Sequence, residues 1–129
     1  MTTYKHPIEV RFCDLDSLGH VNNAVYLSYL EQARISWLQK TKMAETDKKS
    51  GRVPLILAKC DIDFVSPIFW HDKVNVEVWL KHIGNKSFHL KYNVYKNENS
   101  LAAKAFSVQV YYNYIEKHSM TIPDSVRTK

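Results

Sequence analysis

Four segments in the second half of the chain, LILAKCDIDFV, KVNVEVWLKHI, SFHLKYNVYK and LAAKAFSVQVYYN, alternate apolar and polar residues, and only SPIFWHD, GNK and NENS separate them. Val74, Val76, Val78 and Leu80 keep a strict period of two, as do Phe88, Leu90, Tyr92 and Val94; such strands present one apolar face each. Connections this short leave no room for crossover helices, so the strands are expected to run as an antiparallel meander with one face to be covered. The one element long and apolar enough to cover it lies upstream. From Asn22 to about Thr41, Tyr26, Leu27, Leu30, Ala33, Trp37 and Leu38 recur at helical spacing, while Ser28, Glu31, Gln32 and Gln39 face away. A further strand is expected in IEVRFCD, where Ile8, Val10 and Phe12 alternate with Glu9, Arg11 and Cys13. The pattern implies an α+β fold, an antiparallel sheet wrapped around one long central helix.

With 129 residues, 45% of them hydrophobic, the chain is expected to form a single domain over 1–129, with no second catalytic domain. No apolar run approaches the roughly 20 residues of a membrane-spanning helix, and MTTYKHPIEV has no signal-peptide pattern. A soluble, cytoplasmic protein without membrane association is therefore expected. AETDKKSGRVP is read as a mobile polar connector and TIPDSVRTK as a surface extension. Cys13 and Cys60 have no CxxC spacing, which argues against a disulfide framework or structural zinc. The net charge of +5 suits an anionic partner, but the Lys and Arg residues are dispersed, which speaks against nucleic acid and for a small polyanion such as a phosphorylated carrier. The sequon Asn85-Lys86-Ser87 carries no weight without an export signal.

The stretch ahead of the helix, FCDLDSLGHVNN, is rich in chemistry. A calcium loop starting at Asp14 would need ligands where Leu18 and Val25 stand, so that reading fails. Asp14, Asp16, His20 and His71 lack any metal-motif spacing, and no metal is expected. Gly19 permits a tight turn, and Asn22 or Asn23 can cap the helix. Capping does not account for His20, since a charged histidine is disfavoured beside a helix N-terminus. Asp16 is its nearest candidate partner.

DLDSLGHVNNAVYLSYLEQAR closely resembles the signature of the 4-hydroxybenzoyl-CoA thioesterase-like branch of the hotdog-fold acyl thioesterases, which share an Asp-x-Asp-x-x-Gly-His-Val-Asn-Asn pattern before a long central helix. The similarity continues through IDFVSPIFWHDKVNVEVWLKHIGNKSF, where such proteins have a strand, a Pro-containing corner, a long strand and a Gly-x-Lys-Ser turn. The resemblance implies that Asp16 is the catalytic acid, that His20 matches the family's histidine, and that the backbone around Asn23 receives the thioester carbonyl. Asp14 is read as a loop-stabilising residue. Lys86 and Ser87 match a turn that contacts the nucleotide and phosphate part of coenzyme A in relatives. Related plant acyl-carrier thioesterases have an asparagine midway between the acid and histidine positions; Leu18 here departs from that polar relay.

The expected activity is hydrolysis of an acyl-CoA thioester to free acid and CoA, without a cofactor. Thioesters need less activation than amides, so a carboxylate can attack directly or deprotonate water. A free aspartate, with a pKa of about 3.9, is a weak base, and free amides at the helix N-terminus would supply polarisation. Asp16 is assigned as nucleophile or general base, His20 as the group orienting it or the water, and the Asn23 amide as oxyanion donor. Glu31 is a second carboxylate candidate, with solvent or dimer contact as its alternative role. Tyr26 could line an acyl pocket. An open sheet edge implies a homodimer, and the resemblance implies sites between protomers and frequent homotetramers. The alternatives are hydrolysis of acyl groups on acyl-carrier protein, or a non-catalytic acyl-CoA-binding module.

Overall fold

The computed structural model describes residues 3–127. Its strands are β1 (Tyr4–Ile8), β2 (Leu55–Phe64), β3 (Val74–Ile83), β4 (Ser87–Lys96), β5 (Ser100–Asn113) and the short β6 (His118–Ser119); its helices are α1 (Val25–Thr41) and α2 (Asp124–Arg127). All strand pairs are antiparallel, in the order β1-β3-β4-β5-β2, with β6 added beside β5. Val74, Val76, Val78, Phe88, Leu90, Tyr92 and Val94 are all buried, because period-two patterning puts them on the face that α1 covers. Tyr26, Leu30, Ala33, Trp37 and Leu38 of α1 complete this core. Bulges at Leu57/Lys59, Leu80/His82 and Val94/Tyr95 interrupt the ladders and bend the strands. The result is the expected sheet around one helix, the hotdog layout.

The four segments become β2 to β5 almost to the residue; in β3, β4 and β5 alternation reports burial directly, whereas β2 has no buried residue. The first strand is corrected. It spans Tyr4–Ile8, not IEVRFCD, and Phe12–Asp14 form a 3-10 turn. Phe12 is 69% exposed, since the Asp14 carboxylate draws the Arg11 amide into a turn and ends the alternation. Cys13 accordingly lies in that turn and not in a strand. Leu27, expected in the core, is 48% exposed, whereas Tyr29 and Arg34 are buried; both carry polar ends that find partners inside. The connector after α1 buries Met43 and Ala44, and Asp47 there accepts bonds from Lys49 and Ser50 amides.

The C-terminal extension is also corrected. Ile122 and Val126 are buried, and Arg127 Nη2 donates to the carbonyls of Gly84 (2.7 Å) and Asn85 (2.9 Å). The segment is thus packed against the β3–β4 turn. Residues 1–2 and 128–129, the ends of the leader and tail discussed above, lie outside the described residues. If this packing is structural, Ile122→Ala lowers unfolding free energy by about 2–4 kcal/mol in urea titration; a surface tail would give no measurable change.

Candidate functional site

The loop ahead of α1 is organised by a buried carboxylate. Asp14, 1% exposed, accepts from the Arg11 amide (2.9 Å), from Arg11 Nη2 (3.0 Å) and from the Tyr29 hydroxyl (2.8 Å). Its own carbonyl accepts from the Asn22 amide at 2.9 Å. Burial alone would raise its pKa, but the bonds from Arg11 and Tyr29 outweigh this and hold it below the usual carboxylate range. The same contact, together with burial, pushes the Tyr29 hydroxyl pKa upward. Asp14 is therefore an anchor, committed to the backbone on both sides of the loop.

Between these anchor points, residues 15–21 fold back on themselves. Leu15 bridges Val21, the Asp16 amide donates to the His20 carbonyl at 2.9 Å, and Gly19 donates to the Asp16 carbonyl at 3.1 Å. Gly19 has φ +86°, a conformation that a side chain resists. The Val21 amide donates to the Ile68 carbonyl at 2.8 Å, and His20 bridges Phe69, so the loop is stitched to the corner between β2 and β3. Asp16 Oδ1 accepts from the Leu18 amide at 2.9 Å, leaving Oδ2 3.4 Å from His20 Nδ1. Their side chains are 24% and 29% exposed. The pair named from sequence is brought together.

At the helix mouth, Asn22 Oδ1 accepts from the Ala24 amide at 2.9 Å. Val25 and Tyr26 amides donate to the carbonyls of Asn22 and Asn23. The Asn23 amide has no protein acceptor among the described residues. A recess of about 290 Å3 opens beside it, lined by His20, Asn23, Tyr26, Phe64, Ser66 and Pro67 among others. Tyr26 is buried and meets Phe64 edge-on at 5.0 Å; burial raises its hydroxyl pKa. Asp16 does not line the recess and stands behind His20. Larger hollows, about 540 Å3 beside Tyr112 and about 610 Å3 beside Trp70, lie elsewhere. In the second of these, the Asp72 carboxylate is already occupied by the Phe69 amide and Asn97.

Sequence reasoning missed Phe64, Ser66 and Pro67, which come from the far end of β2 and the corner after it. Only the Pro-containing corner hinted at them. Lys86 and Ser87 are not brought to this recess. They sit at the start of β4, whereas the loop is tied to the β4 end through Phe69 and Pro67, the latter accepting from Lys96 Nζ. Ten residues of strand, about 30 Å, separate the two ends. Glu31 is on the exposed flank of α1, outside the recess. His71 stacks on Trp70 at 4.2 Å. Among the described residues no cluster of His, Cys, Asp or Glu is arranged to hold a metal ion, and no helix is long and apolar enough to cross a membrane.

A family profile for the thioesterase-like superfamily matches residues 10–129, nearly the whole chain. The chain belongs to the thioesterase-like superfamily. A thioesterase from Thermus thermophilus, solved with coenzyme A and Zn, superposes with a TM-score of 0.84 at 34% identity, over 96% of this chain and 94% of that one. A 1,4-dihydroxy-2-naphthoyl-CoA hydrolase of Crocosphaera subtropica is 29% identical over 107 residues, 81% of this chain and 78% of that protein. An acyl-CoA thioester hydrolase of Escherichia coli O157:H7 is 21% identical over 125 residues, 97% of this chain and 93% of that protein.

The two aspartates thus differ in environment: Asp14 is buried and fully bonded, whereas Asp16 keeps one oxygen near His20 at partial exposure. Asp14→Asn is expected to cost roughly 1.5–3 kcal/mol at pH 7, the range for hydrogen bonds to a charged group. Because the folded pKa is depressed, the stabilisation is complete above the ordinary carboxylate range and fades as pH falls through and below it. Urea titrations should therefore separate wild type from variant at pH 7 and narrow the gap as pH is lowered through and below the ordinary carboxylate range.

Proposed function

We propose that this protein hydrolyses acyl-CoA thioesters to a free acid and coenzyme A. The observation that carries the reading is the pairing of Asp16 with His20 beside a recess lined by Asn23, whose amide has no protein acceptor among the described residues. A thioester carbonyl oxygen in that recess would accept from the Asn23 amide and lie on the positive end of α1, where charge developing on oxygen is stabilised. Asp16 serves as the base or nucleophile. His20, which lines the recess and lies 3.4 Å from the carboxylate, orients it or the attacking water. Tyr26 and Phe64 supply an apolar wall for the acyl group.

The site is completed in a homodimer. β2 forms one edge of the sheet, with Ile56, Leu57 and Phe64 exposed along it, and an edge of this kind invites pairing. Leu55 opposes Tyr111, whose amide bonds Lys86; Phe64 at the other end packs on Tyr26. Antiparallel pairing of two β2 strands therefore carries the partner's Lys86 and Ser87 from the far end toward the Asp16 loop. There the lysine would meet the phosphates of coenzyme A while the acyl group enters the recess. Arg127 clamps the turn that bears them.

Thiol release over short, medium, long and aromatic acyl-CoAs, with the matching acyl-carrier-protein thioesters in parallel, tests the reading. Asp16→Asn should lower kcat/KM by about 10²–10⁴ with the fold unchanged by circular dichroism. Lys86→Glu should raise KM for CoA esters with little change in kcat. Full activity in the Asp16 variant would refute the assignment, and binding of CoA ligands without thiol release would make the protein a non-catalytic module.

A further inference from the structure

Arg34 is a buried cation without an anion. The residue is 8% exposed, and no carboxylate lies within ion-pair distance among the described residues. Its one hydrogen bond runs from Nη1 to the Tyr92 hydroxyl at 3.1 Å. From there polarity passes inward. Tyr92 meets Ser107 Oγ at 2.6 Å, Ser107 donates to Gln109 Oε1, and Gln109 Nε2 donates to the Phe88 carbonyl at 3.1 Å. Every group in this relay is neutral, so it orients the guanidinium without balancing its charge. A guanidinium has five N–H donors, and a buried charge is costly unless paired. No Arg34 nitrogen is both buried and unbonded among the described residues, and Arg34 lines a recess of about 390 Å3 with Ala24, Leu27, Ser28, Glu31 and Leu57.

Glu31 occupies the same recess, three residues earlier on α1, exposed and without a hydrogen bond or ion pair among the described residues. Residues three apart on a helix can pair, but Arg34 is turned inward to Tyr92. Around them Leu27, Ile35 and Leu57 are 43% to 48% exposed, and the open edge of β2 lies alongside. A small anion entering to neutralise Arg34 would meet the Glu31 carboxylate. A second copy of this chain would satisfy both charges at once.

We infer that the homodimer is locked by reciprocal ion pairs, Arg34 of each protomer with the partner's Glu31. In a two-fold contact each cross-pair occurs twice. Two α1 helices antiparallel about an axis between positions 32 and 33 set position 31 against 34 of the partner, and position 27 against 38, so that Leu27 approaches the partner's Leu38. The inference rests on the dimer proposed above, but its test does not read turnover.

Sedimentation equilibrium of Glu31→Lys and Arg34→Glu, alone and mixed, decides it. Each variant alone sets like charges opposite one another and should raise the dimer dissociation constant about tenfold or more. An equimolar mixture should regain wild-type association, because the mixed dimer has opposite charges at both contacts. Should Arg34→Glu fail to fold, mixing Glu31→Lys with Arg34→Gln should regain part of the loss. Variants that dimerise as tightly as wild type, or a mixture no tighter than its components, would overturn the inference, whatever the protein hydrolyses.

Discussion

One buried carboxylate holds the molecule's chemistry in register. Asp14 bonds the Arg11 amide on one side of the loop and, through its carbonyl, the Asn22 amide on the other, while Tyr29 of α1 reaches down to it. The chain between is forced into a tight fold that exposes Leu18 and Gly19 at its tip and leaves Asp16 and His20 half-buried at its base. Because Tyr29 belongs to the second turn of α1, the same bond fixes where the helix begins relative to the loop. The free Asn23 amide is a consequence of that placement: Asn22 uses its side chain on Ala24, and the first helical turn closes without the amide before it.

The division between two neighbouring acids follows from solvation. Asp14 is enclosed and satisfied by three donors, so it is held ionised and inert. Asp16, two residues on, keeps one oxygen on Leu18 and turns the other to His20 at partial exposure. The proposed role of Asp16 needs such a less committed oxygen, whereas an acid that holds a loop needs none free. Lys86 and Ser87 lie at the other end of β4 from this loop; in the proposed homodimer a second chain reverses those ends, and the unpaired Arg34 is where the inferred contact with that chain would form.

Much of this was legible in the residue pattern, for reasons that differ by element. The strands β3 to β5 were readable because a half-buried strand writes its burial as alternation; β2, an exposed edge, was marked by its apolar content and its bounding turns. The Asp16–His20 pairing was readable because the four-residue spacing across Gly19 closes a turn. What escaped is where a polar contact overrode the pattern. Ile8, Val10 and Phe12 alternate like a strand, yet Asp14 captures the Arg11 amide and turns Phe12 outward. Arg34 lies outside the apolar stripe, yet Tyr92 draws it in, and Leu27, on the stripe, is left exposed on the flank. The tail reads as a polar extension, yet Ile122 and Val126 pack down because Arg127 finds the carbonyls of Gly84 and Asn85. Such contacts join residues tens of positions apart and leave no local periodicity to detect.

The central claim is that a thioester carbonyl sits on the Asn23 amide within reach of the Asp16–His20 pair. The most direct measurement is a crystal structure with an acyl-CoA analogue whose thioester sulfur is replaced by methylene. The account predicts the ketone oxygen about 2.7–3.1 Å from the Asn23 amide nitrogen, with Asp16 and His20 facing the carbonyl carbon across room for one water at most. An acyl carbonyl bound away from the mouth of α1, with Asp16 and His20 still turned only toward each other, would contradict it.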